Sequence, residues 1–241
     1  LNNYQRMLSQ TQNLHAYQTS ISISLVTALL GAFFGFLAAY GVYNLRTGWL
    51  HNFIVGFSSI AANFAGVPLA FAFVATLGVN GFVTLALHNW LHIDLYGIGF
   101  NLYTFGGLVL VYTYFQLPLM VLVMVPALNA LRPEWREAAT NLGASSFTYW
   151  RRVALPILLP SLIAATMLLF ANAFGAYATA VALAQGAINL VPILIGFVVA
   201  GNVGMDVGLG NALAVGMIVV LLIAVSLYTA MVRRANTWTA R

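Results

Sequence analysis

Few side chains in this sequence can do covalent or acid–base chemistry. The 241 residues hold four histidines, four acids and no cysteine. Hydrolysis needs a nucleophile and a base, or a metal, gathered at one place. His15, His51, His88 and His92 fall instead in loops or at the ends of apolar runs. His88 and His92 stand four apart, the spacing of a metal pair on one helix face, and Asp94 is near. No third ligand of clear geometry follows, so no metal is expected, and an interfacial outer helix anchored by Trp90 fits this stretch better. The Gly-rich run from Gly201 to Gly210 lacks the Lys-Ser/Thr ending of a phosphate loop. It reads as an outer turn before the last helix. The chemistry legible here is therefore that of contact and passage, not of bond breaking.

The elements that position these residues follow from composition. The chain is 62% hydrophobic and 5% charged, whereas soluble domains carry about 25% charged residues. So few charges cannot solvate a globular surface of this size. Five apolar segments, near 20–43, 50–78, 102–130, 156–184 and 209–232, each suffice for a bilayer span of roughly 20 residues. The run from Ile188 to Ala200 is too short and reads as re-entrant, interfacial or packed on the outer side. The expected fold is all-α: a polytopic helical bundle forming one transmembrane domain over residues 1–241.

Arg placement orients the bundle. Arg46, then Arg132, Arg136, Arg151 and Arg152, then Arg233, Arg234 and Arg241 all reach one side if the five segments alternate. By the positive-inside rule that side is cytoplasmic. The basic excess of nine over four thus reads as topology, not as nucleic-acid binding. Residues 1–19 then lie outside, which leads us to expect a further helix upstream, six spans in all, with both termini cytoplasmic.

Residues 131–156 form a polar interruption on the cytoplasmic side. Pro133 suits a first helical position and Glu134 complements the helix dipole. Trp135, Ala138, Ala139 and Leu142 give an apolar face at helical spacing. Gly143 suits a helix end with positive φ. Ser145 or Ser146 can cap a second short helix bearing Phe147, Tyr149, Trp150 and Val153. Pro156 lacks an amide hydrogen and suits the start of the next span. Glu137 can pair with a basic group on a partner or within the loop.

This loop resembles that of the membrane subunits of type I ATP-binding-cassette importers. Their pattern is Glu-Ala-Ala, three residues, Gly, nine residues, Ile, any residue, Leu-Pro. Glu137, Ala138, Ala139, Gly143, Leu155 and Pro156 match it, with Val153 in place of Ile. The resemblance covers roughly residues 15–234. It implies a multi-pass permease subunit of a bacterial inner membrane that is not itself an enzyme. ATP and magnesium belong to separate ATPase subunits, into which the loop docks, and no cofactor is expected in this chain. A second homologous permease, membrane lipid and an extracytoplasmic solute-binding protein are the other implied partners. Phe174-Gly-Ala-Tyr-Ala-Thr-Ala and Asn189-Leu-Val-Pro-Ile-Leu-Ile-Gly look most like the polyamine subfamily. Sulfate, aminoethylphosphonate, thiamine and ferric iron are alternative solutes among its relatives.

No Asp, Glu, Lys or Arg falls in the middle of a span. An ion-coupled carrier usually places one there, so that class, like a passive channel, is the weaker alternative. Candidate pathway residues are Asn63, Tyr112, Gln116, Asn172 and Tyr177, with Tyr114 beside them. For each amide, an interhelical hydrogen bond is the competing reading. Pro68, Pro118 and Pro126 are expected to kink the second and third spans. Gly31 and Gly35 form a small-xxx-small pair for close helix packing.

Overall fold

The computed structural model describes residues 2–45, 48–184, 188–200 and 206–239, with side chains described as far as Arg233. All regular structure among the described residues is helical: α1 (Asn2–Ser9), α2 (Thr11–Tyr43), α3 (Gly48–Asn63), α4 (Val67–Leu77), α5 (Phe82–Leu91), α6 (Phe105–Asn129), α7 (Pro133–Asn141), α8 (Ser146–Tyr149), α9 (Leu155–Phe174), α10 (Tyr177–Ala184), α11 (Val191–Ala200) and α12 (Val207–Thr239). A π-helical turn, Trp150–Ala154, joins α8 to α9. Five stretches are long and apolar enough to cross a membrane: Thr11–Tyr43, Val67–Leu91, Phe105–Asn129, Ser146–Phe174 and Val207–Arg233.

The packed centre is α2 against α6 and α9. The buried side of α2 includes a stripe of small residues, Ala16, Ser20, Ser24, Thr27, Gly31, Gly35 and Ala39, spaced three or four apart, with Ala28 and Ala32 beside it. Small residues let backbones approach, which is what drives association where lipid is as apolar as the core. A Cβ built on Gly35 would lie 2.8 Å from Met120 Cγ and closer still to its Cβ. The Gly31 and Gly35 pair is therefore packing against α6. The large residues fill the spaces beside this stripe: Met120, Met124, Leu128, Leu158 and Leu169 in one half, Ile23, Leu69, Leu108, Tyr112 and Phe115 in the other. By contrast, α12 leaves Ile218, Val219, Leu222 and Ile223 exposed, a face suited to hydrocarbon.

Two of the expected continuous spans are broken. The segment expected at 50–78 is α3, a break at Phe64–Gly66, and α4. Gly66 has φ +78°, a conformation costly for residues with a Cβ. Pro68 then sits in the first turn of α4, so it opens a new helix and does not kink a continuous one. Pro118 and Pro126 do lie inside α6. The segment expected at 156–184 ends as α9 at Phe174 and restarts as α10. The two breaks are tied together: the Gly66 amide donates to Thr179 Oγ1 at 2.9 Å. Buried backbone groups must find partners, and Tyr112 Oη donates to the Ala176 carbonyl at 2.8 Å to serve the second break.

The two ends of the bundle are distinct. At one, α1, the start of α2, α11 and the start of α12 meet. Arg6 pairs with Asp206 at 2.6 Å, Tyr17 donates to the Leu213 carbonyl at 2.6 Å, and the Val191 amide donates to Ser20 Oγ at 2.9 Å. The short run near 188–200 is thus the packed outer helix α11. The second apolar stretch runs Val67–Leu91 and not 50–78, so Trp90, expected on an interfacial outer helix, lies at the exposed end of that stretch, while Asp94 beyond it closes a turn by accepting the Gly97 amide at 2.9 Å. At the other end the His51 ring lies 3.3 Å from the Val42 carbonyl, beside the loop that carries Arg132, Arg136, Arg151 and Arg152. Residues 201–205 of the Gly-rich run, Arg46, Arg241 and the side chain of Arg234 lie outside the described residues.

Candidate functional site

The loop between α6 and α9 is built from local signals. Leu131 is buried and closes α6. Pro133 opens α7 with Glu134 in its first turn. At 100° per residue, α7 presents three faces. Trp135 and Ala139 pack on the core. Arg132, Pro133, Arg136 and Glu137 line a cleft against the end of α2. Glu134, Ala138, Asn141 and Leu142 are exposed. The apolar face expected from Trp135, Ala138, Ala139 and Leu142 is therefore split, because α7 ends before Leu142 and turns it outward.

The turn after α7 is a complete Schellman cap. Gly143 has φ +76°. Its amide donates to the Thr140 carbonyl at 2.9 Å, and the Ala144 amide to the Ala139 carbonyl at 2.9 Å. Ser145, one of the two expected caps, then opens α8: its Oγ accepts the Thr148 amide at 3.2 Å. Leu142 and Phe147, on either side of the turn, are 88% and 74% exposed. Large apolar side chains so exposed on a polar loop mark a contact surface.

The π turn at Trp150–Ala154 was not foreseen from the sequence. Pro156 is its signal. Its ring crowds the carbonyl four residues earlier and leaves that carbonyl without an amide partner, and a wider turn just before it relieves both. The Leu155 amide accordingly donates to the Trp150 carbonyl. Trp150 packs edge-on to Tyr40 of α2, centroids 5.0 Å apart. Val153 is half-buried on the core, while Leu155 and Pro156 begin α9 at its exposed side. Through Trp135, Ala139, Tyr149 and Trp150 the loop is seated on the bundle, so it can pass force to α2 and α9.

The polar residues of the spans divide into two groups. Gln116 and Tyr112 are buried and bonded within the chain. Gln116 Nε2 donates to Thr27 Oγ1 at 2.8 Å, an interhelical tie, although Gln116 Oε1 has no partner. Asn63, Asn172, Tyr114 and Tyr177 are exposed on the bundle. Asn63 donates only to the carbonyl of Ser59 on its own helix, at 2.8 Å. Asn63 precedes one helix break, while Asn172 and Tyr177 flank the other.

Comparison with known proteins agrees with this architecture. Residues 31–237 match the family model of the binding-protein-dependent transport system inner membrane component. The chain is 28% identical to a sulfate transport system permease protein of Salmonella typhimurium over 184 residues, 75% of this chain and 62% of that one. It is 28% identical to a probable sulfate transport system permease protein of Anthoceros angustus over 173 residues, 71% and 57% of the two chains. It is 30% identical to a molybdenum transport system permease protein of Escherichia coli over 111 residues, 46% of each. The chain spans less than two thirds of the length of these relatives. Among solved structures, a bacterial alginate ABC transporter in complex with its alginate-bound periplasmic protein superposes with a TM-score of 0.75 at 16% identity, covering 97% of this chain and 83% of that one. The MetNI methionine ABC transporter gives 0.57 at 17% identity, covering 94% and 99%. At such identities these structures speak to the fold alone.

Proposed function

This chain belongs to the family of binding-protein-dependent transport inner membrane components, and from that premise we propose that it is the permease subunit of an ATP-driven importer whose ATPase is a separate chain. The observation that carries this is the loop at residues 131–156. Its exposed face holds Leu142 and Phe147, with small Ala138 between helix turns, and Glu137 makes no ion pair among the described residues. Such a face suits insertion into a cleft on an ATPase, with Ala138 admitting a close backbone, while Glu137, at the rim of the neighbouring cleft, can pair a partner cation from beside that face. Closure of two ATPases on ATP would move α7, and the aromatic seat on α2 and α9 would carry that motion into the spans. A second permease subunit and an extracytoplasmic binding protein complete the assembly.

For the solute, the named relatives favour an oxyanion of the sulfate or molybdate type over the polyamine suggested by the segments at Phe174 and Asn189. Two features support this. No acid lies inside the spans to repel a dianion. Both α4 and α10 start at the paired helix breaks, and broken helices direct the positive ends of their dipoles at anionic solutes in transporters. Of the candidate pathway residues, the exposed Asn63, Asn172 and Tyr177 fit the passage, and Gln116 and Tyr112 fit the scaffold.

The test is ATPase activity of the assembled complex in nanodiscs with its binding protein, across sulfate, molybdate, aminoethylphosphonate, spermidine, thiamine and ferric citrate. Stimulation by sulfate or molybdate, lost in Leu142→Glu, is the expected result. Stimulation by spermidine alone would overturn the oxyanion reading, and absence of any copurifying ATPase would overturn the subunit reading.

A further inference from the structure

The cleft behind α7, on the side away from Leu142 and Phe147, is a site of its own. It has a volume of about 180 Å³ and lies between the end of α2, α7 and the α8–α9 junction. At about 30 Å³ per water that is room for roughly six waters, ample for a phosphate group. Arg132 and Arg136, one helical turn apart, both face it, as do Tyr40, Tyr43 and Tyr149. Among the described residues the only ion pair in the molecule is Arg6 with Asp206, so neither guanidinium is neutralised by an acid. The Arg132 guanidinium carbon lies over the Trp135 ring at 5.8 Å, a contact through the face of the group that leaves its N–H edge for a ligand. Tyr149 is 6% exposed, lines the cleft, and its hydroxyl has no hydrogen-bond partner among the described residues. Glu137 at the rim is the one acid of the lining, and the set remains net positive.

The position of the cleft says which oxyanion reaches it. Tyr40, Tyr43, Tyr149 and Trp150 cluster at the ends of two spans, as aromatic residues do at the headgroup level. From Tyr40 an apolar strip runs back along α2 through Leu37 and Phe33, which are 51% and 61% exposed, a track for an acyl chain. Basic pockets between helices on the cytoplasmic side bind anionic headgroups, and guanidinium is the side chain best shaped for phosphate. We infer that this cleft binds the phosphate of an anionic phospholipid, which bridges α7 to α2 and holds the loop against the bundle.

The test uses the full chain in nanodiscs of phosphatidylcholine with and without phosphatidylglycerol. Lipid retention is read by native mass spectrometry and order by hydrogen exchange over residues 132–142. Phosphatidylglycerol is expected to be retained and to protect α7. With each Arg near the surface worth about 1 kcal/mol, Arg132→Gln with Arg136→Gln weakens retention about 30-fold, whereas the paired Arg→Lys variant keeps most of it. Inorganic phosphate is the second arm. Protection by phosphate in phosphatidylcholine alone, with none from phosphatidylglycerol, keeps the oxyanion site and overturns the lipid as its source. No protection by either, or equal protection in the double Gln variant, overturns the site. Circular dichroism confirms that the variants fold, and both arginines are exposed, so loss of fold is not expected.

Discussion

Gly143 offers a clean test of how the loop is held, because backbone conformation is the main effect that separates glycine from its alanine and asparagine variants. A Cβ added there meets nothing within 4 Å, so crowding is absent. What remains is the φ of +76°, which costs an ordinary L-residue about 1–2 kcal/mol. The two capping bonds at the Gly143 and Ala144 amides, each 2.9 Å, depend on that conformation. Gly143→Ala should therefore favour local opening by about 5–30-fold, the factor that 1–2 kcal/mol represents. Gly143→Asn should cost less, since Asn visits this region by bonding its own backbone. Gly143→Pro, with φ locked near −65°, should abolish the cap. The assay is hydrogen exchange at residues 138–144 of the reconstituted chain, beside solute-stimulated ATPase activity of the complex. Exchange should rise in the order Gly, Asn, Ala, Pro, and coupling should fall in the same order while membrane insertion persists. Equal exchange in wild type and Gly143→Ala would refute the reasoning, because no steric term exists to mask the loss.

Three further outcomes follow from the same geometry. Gly35→Ala should destabilise the bundle by up to about 2 kcal/mol: overpacking costs about 1–3 and helix propensity returns about 1. Gly41→Ala, with open space around it, should be neutral or stabilising, and detergent unfolding followed by circular dichroism compares the two. Gln116→Leu should leave transport and stability near wild type, since an interhelical bond is worth about 0.6 kcal/mol and the unpartnered Oε1 is removed with it; lost transport would make Gln116 a pathway residue. Asp206 is held below the usual carboxylate range first by the Leu209 amide and then by Arg6. Its contribution is therefore present above the ordinary Asp value of about 3.9 and lost as pH falls below it. Protection factors at α1 and the start of α12, which remove the intrinsic pH dependence of exchange, should stay constant from neutral pH down to about 4 and fall below; Asp206→Ala should remove that step.

The sequence by itself determined that the chain spans a membrane, where most spans lie, which side carries the arginines, and how the loop is punctuated. These are local properties. Too few charges exist for a soluble surface, Pro133 opens a helix, Gly143 closes it, and Ser145 opens the next. The tertiary structure decided what those signals leave free. In lipid, the core is no more apolar than the outside, so hydrophobic periodicity cannot tell the buried face of α2 from its lipid face. Residue size tells it instead, and Ala16, Ser20, Ser24, Thr27, Gly31, Gly35 and Ala39 were a readable stripe of which only the glycine pair stood out. The breaks at Gly66 and Gly175 sit inside apolar runs, and what sustains them is distant in sequence: Thr179 bonds Gly66, and Tyr112 bonds Ala176. The same holds for the amides. Gln116 and Asn63 look alike along the chain, but one is sealed between α2 and α6 and the other is exposed. Only the packing of helices far apart in sequence could bury one and leave the other exposed.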